Sequence, residues 1–291
     1  MQDLRGKTAF ITGGAGGIGF AMAEAFGRQG MNVMLADIEA ATLEKALEDL
    51  RSKQIRAEGV VTDVARRAAL EDAAKATIDA FGKVHVVCNN AGVAVGGPID
   101  EVPYADWDWI VDVNLKSVVY GTHIFTPLIE KHGEGGHFVN TASMAGMVSP
   151  PMLEPYCATK FAVVAMSEGW AGQLAPKNIG VSVLCPGFVK TRIHQSRRNR
   201  QADAYGADPA AHEIEAGGVT STNVENGIPP EAVANRVVEA IKDNDLYIFT
   251  HTEMRPFVQM RFARIDEAFK KSESSPALNV LPPRTLTMPT P

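Results

Sequence analysis

Over its first two thirds the chain switches repeatedly between two hydrophobic periods. KTAFITGG reads as a strand running into a glycine turn, and GFAMAEAFGRQG as a helix closed by Gly30. NVMLADI is again a strand, ATLEKALEDLRSK an amphipathic helix, AEGVVTDV a strand and RRAALEDAAKATIDAFG a helix. VHVVCNNAG reads as strand and loop, WDWIVDVNLKSVVYGTHIFTPLIEK as one long helix, and GHFVNTAS as a strand. The segment containing Tyr156 opens another helix before the strand IGVSVLCPG. Strands that are apolar throughout, separated by helices, predict a parallel sheet covered on both faces. The fold class is therefore α/β: a doubly wound parallel sheet in three α/β/α layers, with ligands at the carboxyl ends of the strands.

The alternation breaks after Gly187. Residues 188–228 are polar and irregular, and a stretch of that length between sheet elements is expected to be a substrate lid or a mobile loop. The helix PPEAVANRVVEAIKDN and the strand DLYIFTH then return to the fold, and EMRPFVQMRFARIDEAFKK reads as a last amphipathic helix. Residues 1–271 form one domain on this reading, with the lid at about 188–228. Residues 272–291 are proline-rich and aperiodic, either disordered or an arm laid on a neighbouring subunit.

Composition narrows the function classes. A net charge of -6 argues against nucleic acid or an anionic membrane as partner. The start has no apolar signal core, and no apolar run reaches transmembrane length, so the expected location is cytoplasmic. Cys88, Cys157 and Cys185 have no disulfide or metal spacing and read as small buried hydrophobes. The histidines show no paired spacing, so no catalytic metal is expected.

TGGAGGIG, Thr12 to Gly19, follows the first strand and opens the first helix. Glycines there let backbone approach a pyrophosphate, and the helix N-terminus offers free N–H groups and a positive dipole end. That context makes it a dinucleotide-binding, Rossmann-type turn. Asp37 ends the second strand, eighteen positions after Gly19, near the spacing of an acid that bonds the adenosine ribose hydroxyls. It would repel the 2′-phosphate of NADP, and Ile38 and Glu39, not Lys or Arg, follow it. NAD is therefore favoured over NADP. The alternative for Asp37 is a plain helix N-cap.

PYCATK places Tyr156 and Lys160 one helical turn apart, with small residues between them. The pair is either a surface neighbour pair or a phenol made labile by a cation. A charge about 5 Å away, at an effective dielectric near 20, is worth roughly 3 kcal/mol and would lower the phenol's pKa by about two units.

With these motifs in order, the chain resembles the short-chain dehydrogenase/reductase family in its compact single-domain form. The resemblance is carried by Thr12, Gly13, Gly17 and Gly19, by NNAG at 89–92, by Asn114 in DVNLKS, and by Ser143, thirteen positions before Tyr156. Tyr156-x-x-x-Lys160, Asp63-Val64 and PGFVKT at 186–191 complete it. The family often has two adjacent serines after the fifth strand, whereas TAS keeps only Ser143, and Cys157 replaces a common serine.

The resemblance implies hydride transfer between a secondary alcohol or ketone and nicotinamide. Tyr156 would be general acid/base, and Lys160 would lower its pKa and bond the nicotinamide ribose. Ser143 would stabilise the substrate oxygen, and Asn114 would hold a relay water or, alternatively, be bonded only to backbone. The cofactor-binding set is Gly13, Gly16, Gly17, Ile18, Gly19, Asp37, Ile38, Asp63, Val64, Asn90, Ala91, Gly92, Tyr156, Lys160, Pro186, Gly187, Val189 and Thr191.

The expected substrate pocket is Val95, Met144, Ala145, Met152, Phe188 and His194. The methionine-rich SMAGMVSPPMLEP suits a bulky apolar or aromatic substrate, or else ordinary core packing. A steroid, polyol or β-hydroxyacyl substrate, or a non-catalytic NAD-binding regulator, are the alternatives. RRNR at 197–200 would meet a substrate anion or simply be solvated. DNDLYIFTHTEMRPFVQMRFARIDEAF resembles the C-terminal region of bacterial aryl-alcohol dehydrogenases acting on the benzylic carbinol of lignin-type ethers. Family members pair through the helices predicted at 105–131 and 156–175, so a homodimer or homotetramer is expected, with Trp107, Trp109 and Trp170 at the interface or in the core.

Overall fold

The computed structural model describes residues 1–208 and 219–280; the predicted lid's 209–218 and the tail's 281–291 lie outside the described residues. Seven strands form one sheet: β1 (Thr8–Thr12), β2 (Asn32–Asp37), β3 (Ala57–Val61), β4 (Val86–Asn89), β5 (Gly136–Thr141), β6 (Ile179–Cys185) and β7 (Tyr247–Phe249). Their order is β3-β2-β1-β4-β5-β6-β7, and every pairing is parallel. The direction of winding reverses between β1 and β4, which opens a crevice at their carboxyl ends.

The helices are α1 (Gly17–Arg28), α2 (Ala40–Ser52), α3 (Arg67–Phe81), α4 (Tyr104–Val111), α5 (Ser117–His132) and α6 (Glu154–Leu174). After them come α7 (Ala202–Tyr205), α8 (Val219–Glu225), α9 (Pro230–Asp243), α10 (Arg255–Glu273) and α11 (Pro276–Asn279). Alternation along β1 shows why three layers form. Ala9 and Ile11 join a core with Met22 and Phe26 of α1 and Val233, Val237 and Ile241 of α9. Phe10 faces the other way, into a core with Leu70 of α3, Trp109 of α4 and Phe125 of α5. Trp109 is thus core, while Trp107 and Trp170 are half-buried. All three cysteines are buried free thiols.

Two readings change. The single helix expected over WDWIVDVNLKSVVYGTHIFTPLIEK is α4 and α5 joined by a π-helical turn, Asp112–Lys116, centred on Asn114. Such turns occur mostly as single insertions and are frequent at functional sites. The excursion after β6 is also not wholly irregular. It opens and closes on a parallel bridge, Val189 to Ile228, and carries a 3-10 helix (Ile193–Asn199), α7 and α8.

The chain divides into two compact units, residues 1–250 and residues from 251 on, where the sequence reading sets the boundary after 271. The second unit contributes α10 and α11, and α10 has no buried residue. Among the described residues no helix is long and apolar enough to cross a membrane.

Candidate active site

The crevice between β1 and β4 is stitched by Thr12. Its hydroxyl accepts from the Asn90 N–H (2.9 Å) and the Ala91 N–H (3.1 Å) and donates to the Cys88 carbonyl (3.3 Å). Asn90 returns the tie, its amide donating to the Thr12 carbonyl at 3.0 Å. The glycine turn is packed on this seam. A Cβ at Gly19 would stand 2.1 Å from the Gly13 carbonyl, and one at Gly13 would stand 3.0 Å from the Ala91 backbone. A Cβ at Gly16, in contrast, would meet nothing within 4 Å.

Helix α1 starts at that open side, and no side chain caps its first N–H groups. Unsatisfied donors at a glycine-lined helix start fit a dinucleotide pyrophosphate. Asp37 closes the adenosine side. Its carboxylate accepts from the Ala15 N–H (2.9 Å) and the Glu39 N–H (3.0 Å), and each oxygen keeps a lone pair for a further donor. Asp63 caps its own turn, accepting from the Ala65 N–H at 3.0 Å, and Val64 is buried beside it. Thr191 reaches back to the glycine turn, because a Cβ at Gly17 would lie 2.9 Å from its methyl. Val189 is held by the bridge to Ile228, and the Pro186 carbonyl accepts from the Met144 N–H at 2.9 Å.

The predicted catalytic residues come from three elements and converge. Ser143 follows β5, and its hydroxyl accepts from the Ala145 N–H at 3.1 Å. Its hydroxyl donates to the Pro186 carbonyl at 3.4 Å, and Ser143 favours the ionised form of the neighbouring Tyr156 phenol. The Lys160 ammonium stands 5.5 Å from the centre of the Tyr156 ring and donates to the Thr141 carbonyl at 2.8 Å. Asn114 is buried; its carbonyl oxygen accepts from the Val93 N–H (2.8 Å), and its amide donates to the Val93 carbonyl (2.9 Å) and the Thr159 hydroxyl (3.3 Å). Gly92 separates Asn114 from Lys160, since a Cβ there would meet the Asn114 oxygen at 3.4 Å and the ammonium at 3.5 Å.

The chain by itself does not carry the electrostatic shift expected of the pair. Burial pushes the Tyr156 phenol up to about 12, although neighbouring Ser143 opposes the shift. Lys160 does not bring it below its ordinary value. The ammonium lies over the ring rather than at the hydroxyl, and burial pulls its own pKa down to about 8, weakening the charge it offers.

The expected pocket residues divide. Val95, Met144 and Ala145 are buried, Met152 and Phe188 are exposed, and His194 is half-buried. The buried Nδ1 of His194 has no hydrogen-bond partner among the described residues. Met152 adopts φ 65, a left-handed conformation unusual outside glycine, and its carbonyl accepts from the Gly97 N–H at 2.9 Å. The lid docks on the same wall, where Ser196 accepts from the Ala94 N–H at 2.9 Å.

RRNR is engaged by carboxylates of the body of the fold. Arg197 and Arg200 both pair with Asp106, which is fully buried, at 2.5 and 2.9 Å. Arg198 pairs with Glu39 at 2.7 Å. The sequence reading missed Asp106 altogether; its partners lie more than ninety positions away, and no local pattern marks it.

At the amino ends of β4 and β5, away from the crevice, His85, His132 and Glu134 lie close enough to hold a metal ion. Their ring nitrogens are already engaged. The Thr8 N–H donates to His85 (3.1 Å), His85 bonds Glu134 (3.0 Å), and His132 takes the Glu134 N–H (3.2 Å) and bonds the Val84 carbonyl (2.8 Å).

A nucleotide cradle at the switch point of a parallel sheet, with serine, tyrosine and lysine beside it, defines an oxidoreductase class. The short chain dehydrogenase family model matches residues 7–202. The chain belongs to the short-chain dehydrogenase/reductase family. It is 35% identical to a C alpha-dehydrogenase of a Sphingobium species, across 95% of this chain and 90% of that one. It is 34% identical to a CLA biosynthesis dehydrogenase/reductase of Lactiplantibacillus plantarum, across 91% and 95%. A crystal structure of a short-chain dehydrogenase/reductase from Burkholderia phymatum in complex with NAD superposes with a TM-score of 0.87 at 35% identity, covering 99% of this chain and 100% of that one. The likeness to the Cα-dehydrogenase therefore spans nearly the whole chain, not only the C-terminal stretch in which the sequence reading finds it.

Proposed function

We propose that the protein is an NAD-dependent oxidoreductase that interconverts a bulky apolar or aromatic secondary alcohol and its ketone. The observation that carries this reading is the convergence of Ser143, Tyr156 and Lys160 beside the glycine-lined crevice. Bound NAD would accept the hydride and bring positive charge next to the phenol.

The chain's own residues would do the rest. Ser143 would donate to the substrate oxygen and steady developing alkoxide charge. Tyr156 would take the hydroxyl proton in oxidation and return it in reduction. With the phenol at about 12, the charge of oxidised nicotinamide is needed to favour the phenolate, which couples proton transfer to the loaded state. Lys160 would hold the nicotinamide ribose, anchored meanwhile on the Thr141 carbonyl. Asn114 retains one carbonyl lone pair, which faces Gly92 next to the Lys160 ammonium, and this supports a relay water there.

Asp37 would bond the adenosine ribose. Gly13, Gly16, Gly17, Ile18 and Gly19 would hold the pyrophosphate. Asp63 and Val64 would touch adenine. Asn90, Ala91, Gly92, Pro186, Gly187, Val189 and Thr191 would line the nicotinamide half. The orphaned nitrogen of His194 and the exposed Met152 and Phe188 support a substrate with one polar anchor and an apolar body. The Cα-dehydrogenase likeness favours a benzylic carbinol. The reading also takes the protein as cytoplasmic and as a homodimer or homotetramer.

Reduced-nicotinamide absorbance tests the reading. The purified protein is offered benzylic carbinols, steroids, polyols and β-hydroxyacyl thioesters, with NAD and NADP in parallel. Benzylic carbinols with NAD are expected to give the strongest signal. Turnover confined to polyols, or preferring NADP, would overturn it.

A further inference from the structure

Glu39 lies two residues after Asp37 and is tied to it through its own N–H. Its carboxylate receives a cluster of donors from the lid. Arg198 donates twice to one oxygen, at 3.0 and 2.7 Å, and Asn199 donates to the same oxygen at 3.0 Å. Arg192 donates to the other oxygen at 3.3 Å, where Thr42 also donates at 3.1 Å. Arg192 directly follows Thr191, whose methyl stands against Gly17. The first turn of the lid therefore spans from the glycine turn to the end of β2.

We propose that Glu39 is a second determinant of cofactor choice, acting by occupying two lid arginines that would otherwise receive a 2′-phosphate. This rests on the NAD reading, in which Asp37 takes the adenosine ribose. The sequence offers no cation after Asp37, but the fold delivers two guanidinium groups within one residue's reach of it. Guanidinium forks are the usual partners of phosphate oxygens. Here both are already matched to a carboxylate, so Asp37, Glu39, Arg192 and Arg198 sum to zero charge. A 2′-phosphate would have to compete with Glu39 for these two guanidinium groups. Burial alone would raise the Glu39 carboxyl, yet hydrogen bonds from Asn199 and Arg198 and the charges of Arg198 and Arg192 hold it at about 2. It is ionised at every pH suited to assay. Without Glu39 the same four-group site carries one net positive charge.

Adenosine 2′,5′-bisphosphate and ADP are the probes, because they read the adenosine end without turnover. Calorimetric Kd values are measured for wild type, Glu39→Gln, and Glu39→Gln combined with Arg198→Gln. In Glu39→Gln the affinity ratio is expected to move toward the 2′-phosphorylated probe by about tenfold, the effect of one charge-assisted hydrogen bond gained. The double variant should lose most of that gain. The same single variant should raise kcat/KM for NADP relative to NAD.

A ratio within twofold of wild type would refute the proposal, as would equal weakening of both probes, which is the mark of a lid anchor alone. In either case the NAD reading stands if ADP and NAD still bind wild type. Failure of wild type to bind ADP and NAD at all would sink both.

Discussion

Lys160→Met is expected to make the protein more stable at pH 7 while abolishing its turnover. The ammonium is buried, with its pKa pulled from 10.5 to about 8 by that burial. At about 1.4 kcal/mol per unit, the charged form carries a native-state penalty of about 3 kcal/mol. Methionine has similar length and no charge. The substitution forfeits the hydrogen bond to the Thr141 carbonyl, worth about 1 kcal/mol. The net gain at pH 7 is therefore about 2 kcal/mol.

The sign follows from linkage. Below pH 8 the lysine is protonated in both states and the penalty is complete. Between about 8 and 10.5 the folded protein sheds the proton before the unfolded chain does, so wild-type stability rises with pH. The advantage of Lys160→Met should shrink across that window and reverse near its top, where only the lost hydrogen bond to the Thr141 carbonyl remains. Denaturant unfolding at pH 7 and pH 9.5 measures it. A variant less stable than wild type at pH 7, or a difference independent of pH, would refute the reasoning.

Tyr156→Phe should abolish turnover while calorimetry finds NAD binding retained; near-normal rates would remove Tyr156 from its proposed role. Alcohol oxidation in wild type should accelerate as pH rises from 7 to 10, because the phenolate must be populated and the free phenol is held near 12; a flat profile of kcat/KM would contradict this. Asp106→Asn leaves two lid guanidiniums facing a neutral amide, one of them on the buried Arg200, and should cost about 3 kcal/mol and release the lid to protease. Unchanged protection of residues 193–206 would show that the lid is held by other contacts. Helix α10 exposes Phe257, Met260, Phe262 and Phe269, and a helix of its length without packing is marginal in water. Together these side chains offer several hundred Å² of apolar surface, so pairing two copies of the chain would bury on the order of 1,000 Å²; Phe257→Asp should then reduce the sedimenting mass, and a monomeric wild type would contradict the pairing.

Local chemistry made much of this protein legible without coordinates. Strands that are apolar throughout, alternating with helices of period 3.6, point to a parallel sheet, because such strands must bury both faces under helices. Thr12 to Gly19, Asp37 and the Tyr156–Lys160 pair are readable because each has a local mark: a glycine turn between strand and helix, an acid at a strand end, and a spacing of one helical turn. What spacing did not reveal depends on contacts between distant segments. The π-turn is centred on Asn114, whose side chain bonds both backbone polar groups of Val93, twenty-one positions away. RRNR by local pattern is a solvated run or an anion contact, yet it is bound by Asp106 and Glu39, 91 to 160 positions away. The surroundings of Tyr156 depend on distant segments in the same way. A Coulomb estimate from helical spacing knows the distance to Lys160 but not that burial removes water from both groups, and desolvation of the pair is decided only when the whole sheet closes over them.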